Sequence, residues 1–149
     1  MAQMPSGEPA PTDGLLPAGI SFDSDRSFHA YVHVPFCRVR CGYCDFNTYT
    51  ATELRGVSQD SFARELIAEI EFSARVLEQS GAPKRKLSTV FFGGGTPTQL
   101  PARDLVAILG ALDVAFGIEG GAEITTEANP DNVDPVSYTH LTLPTKRIV

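Results

Sequence analysis

Cysteine is scarce in this chain of 149 residues: there are three, and all lie between positions 37 and 44. An odd number of cysteines confined to one short stretch cannot staple a fold, which excludes a disulfide framework. Long apolar runs are missing too. None approaches the ~20 residues that a helix needs to cross a bilayer, so no integral membrane segment is expected. The N-terminus has neither a basic n-region nor an apolar h-region, and secretion is not expected. Free thiols then point to a reducing, cytoplasmic setting. There is no basic stripe: 12 Lys and Arg stand against 18 Asp and Glu, a formal charge of −6, which argues against nucleic acid as the main partner. The length suits at most one domain, and a hydrophobic content of 42% is that of a soluble globular protein.

What is present is concentrated. Cys37, Cys41 and Cys44 form a C-x3-C-x2-C triplet, three thiols on one short loop. Three thiolates hold three irons of a cubane 4Fe-4S cluster and leave the fourth iron open to a substrate or cofactor. A structural zinc site would want a fourth Cys or His nearby. His29 and His33 are close in sequence but belong to the strand-like segment before the loop. Zinc, and three unrelated buried cysteines, stand beside the cluster as alternative readings of the triplet.

The rest of the chain has a simple rhythm. Residues 1–28, rich in Pro, Gly, Ala and Asp and without periodicity, read as a disordered leader. His29 to Phe36 is rich in β-branched and aromatic residues and reads as a strand ending at the cysteine loop. Ser58 is a candidate N-cap for a helix with Phe62, Leu66, Ile70, Ala74 and Leu77 on one face, ended by Gly81 and Pro83. Leu87 to Phe92 is a second strand running into Gly93, Gly94 and Gly95. Pro101 opens a second helix with Leu105, Ile108, Leu109 and Leu112 inward, closed by Gly117. Ala122 to Glu127 is a third strand. The order βαβαβ predicts an α/β fold with a parallel sheet, whose ligands sit at the carboxyl ends of the strands. The cysteine loop, the segment Gly93 to Thr98, and Glu127 with Asn129 and Pro130 all fall at such ends.

Each of those motifs also has a plainer reading. A glycine run lets backbone approach a ligand closely, or simply makes a tight turn. It is neither a P-loop nor a G-x-G-x-x-G fingerprint. Glu127 suits ribose hydroxyls, as acidic residues do at strand ends of dinucleotide folds, or is a solvated carboxylate. Asn129 and Pro130 suffice to stop a strand. Tyr43, between two candidate ligands, suits a cover over the cluster or a contact to adenine better than core.

Together, Tyr31, His33, Pro35, the three cysteines with Tyr43, the run GGGTPT, and Glu127 followed by Asn129 and Pro130 resemble the radical S-adenosylmethionine superfamily. More narrowly they resemble its oxygen-independent coproporphyrinogen III oxidase-like branch, which includes the HemW-type haem chaperones. The resemblance covers roughly residues 30–135. It implies a partial (β/α) barrel of the radical S-adenosylmethionine type, with about three β-α units present, over residues 29–135. It implies that Cys37, Cys41 and Cys44 ligate the 4Fe-4S cluster and that S-adenosylmethionine sits on the open iron. Tyr31 and Tyr43 would lie in its pocket, Gly94, Gly95 and Thr96 would contact it, and Glu127 would hold its ribose. The chemistry implied is reductive cleavage of S-adenosylmethionine.

Authentic oxygen-independent coproporphyrinogen dehydrogenases carry a further cysteine just after the triplet. Here Asp45, Phe46 and Asn47 follow Cys44, as in the chaperone branch. The expected function is a cluster- and S-adenosylmethionine-binding haem chaperone in porphyrin metabolism. Its expected partners are haem or a porphyrinogen, an unidentified electron donor and a haem-acceptor protein, with no catalytic residue assigned. The alternatives are the oxidase itself, acting by radical oxidative decarboxylation, and a simple iron-sulfur electron-transfer protein.

The segment after Pro135 breaks the pattern: it is Thr- and Leu-rich and ends near Lys146 and Arg147. It matches one reading frame of a common transposase-type sequencing adapter. Residues 136–149 are therefore expected to be an adapter artefact that interrupts a longer chain near Asp134 or Pro135, leaving His140 without functional meaning. The alternative is an amphipathic strand with a basic end.

Overall fold

The computed structural model describes Gly7, Pro9 and residues 11–50 and 58–133. The adapter expectation for residues 136–149 lies outside the described residues. Strand β1 spans Phe28–Val34, the short strands β2 and β3 span Phe36–Cys37 and Tyr49–Thr50, and helix α1 spans Gln59–Gln79. Strand β4 follows over Leu87–Gly94, helix α2 over Ala102–Phe116 and strand β5 over Ile118–Thr126. Single 3-10 turns occur at Pro97–Gln99 and Pro130–Asn132. The main sheet has the order β1-β4-β5 and is parallel throughout, with α1 and α2 as the two crossovers. This is the expected α/β arrangement, an arc of a barrel.

The alternation along β1 sorts its residues onto two faces. Val32 and Val34 point into the core, while His29 and Tyr31 stand exposed. Register carries the division across the sheet. His29 pairs with Thr89, Tyr31 with Phe91 and His33 with Gly93, and beyond them Thr89 pairs with Glu123 and Phe91 with Thr125. One face is therefore rich in polar and aromatic side chains. The other carries Val32, Val34, Val90 and Phe92, and packs with Ile70, Leu105, Ile108 and Leu112 of the helices into one core.

The helices begin and end for local reasons. Ser58 caps α1, its side-chain oxygen accepting from the Asp60 amide at 3.1 Å. Gly81, just past the end of α1, has φ +73°, the left-handed conformation that lets the chain leave a helix. Pro101 is the N-cap of α2, and Leu105, Ile108 and Leu112 are its buried residues.

Strand β5 begins four residues earlier than the sequence suggests, at Ile118 instead of Ala122. Its ladder is irregular there: Leu87 pairs with Ile118, but Thr89 pairs with Glu123. That bulge, with Gly120 and Gly121 inside it, hides the strand from any count based on propensity. Strand β1 begins one residue early at Phe28 and breaks at Pro35, which separates it from β2.

Candidate cofactor site at the carboxyl edge of the sheet

Strand β1 delivers the chain directly into the cysteine loop. Phe36 and Cys37 pair in parallel with Tyr49 and Thr50, and the Tyr49 amide donates to the Pro35 carbonyl at 2.8 Å. The loop is thus clamped at its base. Within it the Cys44 amide donates to the Cys41 carbonyl at 3.0 Å, a tight turn around Gly42 and Tyr43. Thr48 is almost fully buried, at 1% exposure, and its hydroxyl lies 3.5 Å from the Cys44 sulfur. That hydroxyl, and then the backbone at Phe46, hold the Cys44 thiol below its ordinary pKa, with Arg40 adding a smaller favourable charge.

The glycine segment closes on this loop from β4. The Gly95 amide donates to the Val34 carbonyl at 2.8 Å and the Thr96 amide to the Phe36 carbonyl at 2.7 Å. A Cβ at Gly95 would stand 2.5 Å from the Phe36 oxygen and 3.0 Å from the Cys37 sulfur, so only glycine permits this approach. Gly94 has φ +110°, and its amide donates to the Glu127 carboxylate at 3.2 Å. Glu127 itself extends the ladder, its amide donating to the Phe92 carbonyl at 3.0 Å. The Asn129 amide reaches the Thr98 hydroxyl at 3.4 Å.

The structure therefore brings Cys37, Gly94, Gly95, Thr96 and Glu127 to one rim. Tyr31 joins them from β1: its ring stacks on Phe91 at 6.0 Å and lies 3.2 Å from where a Gly93 Cβ would be. Tyr43 and Cys41 are not gathered in. Tyr43 is 91% exposed and Cys41 is exposed, while Cys37 and Cys44 are half-buried.

Sequence reasoning passed over His33 as anything more than a strand residue. Its Nδ1 lies 2.9 Å from the Tyr31 hydroxyl and its Nε2 2.9 Å from the Asn47 carbonyl. The available signal was the strand alternation, which puts Tyr31 and His33 on one face, one pair of residues before the loop. Thr48 was also missed, and nothing in its sequence surroundings marks it.

The residues have the chemistry for an iron-sulfur cluster: a donor set of three thiols, one of them biased toward thiolate, beside a glycine edge that leaves room at Cys37. Among the described residues, no three His, Cys, Asp or Glu side chains converge into a ready-made metal site. A cavity of about 350 Å³ lies at the other, amino-terminal end of the sheet, lined by Phe22, Phe28, Leu77, Arg85 and Phe116 among others, and is not part of this rim.

The profile of the Radical SAM superfamily matches residues 31–141. The chain belongs to the radical S-adenosylmethionine superfamily. Within it, the chain is 46% identical over 110 residues to a haem chaperone HemW of Mycobacterium tuberculosis, covering 74% of this chain and 27% of that protein. It is 34% identical over 134 residues to an oxygen-independent coproporphyrinogen III oxidase of Paracoccus denitrificans, covering 86% of this chain and 26% of that protein. Among solved structures it resembles the coproporphyrinogen III oxidase HemN of Escherichia coli, a radical S-adenosylmethionine enzyme. The TM-score is 0.62 at 28% identity, over 78% of this chain and 25% of that one. The chain thus spans about a quarter of the length of these relatives. Its three-stranded arc is the corresponding part of the radical S-adenosylmethionine fold. Among the described residues, no helix is long and apolar enough to cross a membrane.

Proposed function

We propose that this chain carries the cofactor-binding segment of a HemW-type haem chaperone, with Cys37, Cys41 and Cys44 as the ligands of a 4Fe-4S cluster. The observation that carries the reading is the continuation Asp45, Phe46, Asn47 after Cys44: the triplet holds the only cysteines in the sequence. The 46% identity to the mycobacterial chaperone, against 34% to the oxidase, supports it. When bound, the cluster supplies one electron at low potential and an iron open to S-adenosylmethionine.

The protein's own part is binding and orientation. Cys44 offers a thiolate at lower pH than an ordinary cysteine. Gly94, Gly95 and Thr96 bring bare backbone to the rim, and Glu127 accepts hydrogen bonds there; at present it holds the Gly94 amide. A ribose hydroxyl would be a second donor to the same carboxylate. Tyr31 stands at the same rim, and Tyr43, on the exposed turn of the loop, would have to fold inward to meet S-adenosylmethionine. Cys37, Cys41 and Cys44 would hold the cluster, and their convergence would be coupled to metal binding. The site needs reducing surroundings, as in a cytoplasm.

Haem, a haem acceptor and an electron donor belong to the whole protein. The test is anaerobic titration with haem of protein extended to the length of its relatives, alongside incubation with dithionite, S-adenosylmethionine and coproporphyrinogen III. Haem binding without vinyl product is expected. Porphyrinogen turnover without haem binding would transfer the reading to the oxidase. A loaded cluster that binds no S-adenosylmethionine would point to simple electron transfer.

A further inference from the structure

We propose that His33 is the positioning residue of the site: one imidazole ring ties the cysteine loop to the sheet and aims the Tyr31 hydroxyl. The inference rests on the reading that the three cysteines hold a cluster. The Asn47 carbonyl can only accept, so the ring nitrogen 2.9 Å away, Nε2, must carry the hydrogen. In the neutral ring Nδ1 is then the acceptor, and the Tyr31 hydroxyl at 2.9 Å donates to it. Both ring nitrogens are thereby committed, and a single tautomer satisfies both contacts.

The ring cannot easily move away. A Cβ on Gly94 would lie 2.6 Å from its Cε1 and 2.7 Å from its Nδ1, so the ring fills the space that the glycine leaves vacant. Gly94 in turn holds the Glu127 carboxylate through its amide. Strand β1, the end of β4 and the loop segment that follows Cys44 thus meet on one side chain. Asn47 adjoins Thr48, whose hydroxyl contacts the Cys44 sulfur. Holding the Asn47 carbonyl fixes where the chain re-enters the sheet after the last cysteine, and so how far Cys44 stands from Cys37.

The geometry separates the two arms of the ring. Glutamine places its amide nitrogen near the position of Nε2 and keeps the donor to Asn47. Asparagine places its oxygen near Nδ1 and keeps only the acceptor for Tyr31. Leucine keeps bulk against Gly94 and neither bond.

The test compares the full chain with His33→Gln, His33→Asn and His33→Leu. The first readout uses the apoprotein and is independent of any cluster: ¹⁵N NMR of the imidazole, and the rate of tryptic cleavage after Arg38 and Arg40 in the loop. We expect the Nε2-protonated tautomer. We also expect loop cleavage near the wild-type rate in His33→Gln and several-fold faster in His33→Asn and His33→Leu. The second readout is iron lost to a chelator after anaerobic reconstitution. We expect roughly tenfold weaker retention in His33→Leu and His33→Asn, the range seen when partners that orient metal ligands are removed, with recovery in His33→Gln.

Several outcomes overturn the proposal. An Nδ1-protonated ring would do so. So would equal cleavage and equal iron retention in all four proteins. Recovery by leucine as complete as by glutamine would reduce the role to packing. A wild-type chain that takes up no iron overturns the cluster reading instead, and the tautomer and cleavage data then judge the loop-tying role by themselves.

Discussion

At the rim of the sheet, individual atoms decide what the backbone may do. Gly94 is held at φ +110° with the His33 ring where a side chain would go. Gly94→Ala therefore meets both strain and a clash and should cost about 2 kcal/mol, within the ~1–3 kcal/mol typical of a residue forced into such backbone. A lowered denaturant midpoint with unchanged slope would show it. Thr48 makes a second prediction. Its hydroxyl is the main reason that the Cys44 pKa lies below its ordinary value, so Thr48→Val, which keeps shape, should move the midpoint of Cys44 alkylation to higher pH. The sign follows from linkage. A depressed pKa favours the folded thiolate above the unfolded pKa, and that contribution is lost as pH falls through the folded value. Alkylation of Cys44 followed against pH by peptide mass spectrometry checks it; an unmoved midpoint would contradict the assigned cause. At this scale the meeting of Cys37, Gly94, Gly95 and Glu127 on one rim was legible, because those residue types are restrictive. The parts of His33 and Thr48 were not, because they depend on the carbonyl or sulfur that the fold brings to them.

Among the elements, the helices were the most readable. The Ser58 cap and the apolar series from Phe62 to Leu77 follow helical spacing, and so do Leu105, Ile108 and Leu112 on α2. Ile108 is fully buried in the core between sheet and helices, so Ile108→Ala should cost about 2–5 kcal/mol. Ser58→Ala removes one cap bond at an exposed terminus and should cost only about 1 kcal/mol. Thermal or urea unfolding of the two variants should preserve that ranking. The strands were less readable. The first half of β5 contains a bulge and two glycines, and β2 and β3 are two residues each and exist because the loop they flank is clamped shut. Both features are set by pairing with distant chain, which local propensity does not record.

Across the whole molecule, the two faces of the sheet are unlike. One is sealed by α1 and α2, while the other presents His29, Tyr31, Thr89, Phe91, Glu123 and Thr125, with Tyr31 57% and Phe91 37% exposed. A sheet arc with helices on its outer side and polar and aromatic groups on its inner side is how a barrel presents a cofactor site. The carboxyl rim where the cysteine loop, the glycine run and Glu127 meet is the usual place for one. Charge and composition could not have shown this. The ordering of motifs at successive strand ends did, because a parallel sheet puts them on one edge. The assignment of the three cysteines to a 4Fe-4S cluster is tested by iron and sulfide analysis after anaerobic reconstitution of the chain and of Cys41→Ala. About four irons per wild-type chain, with a visible charge-transfer absorption that the variant loses together with its iron, is the expected result. A variant that keeps the full iron complement of the wild type would contradict the ligand assignment and the function built on it.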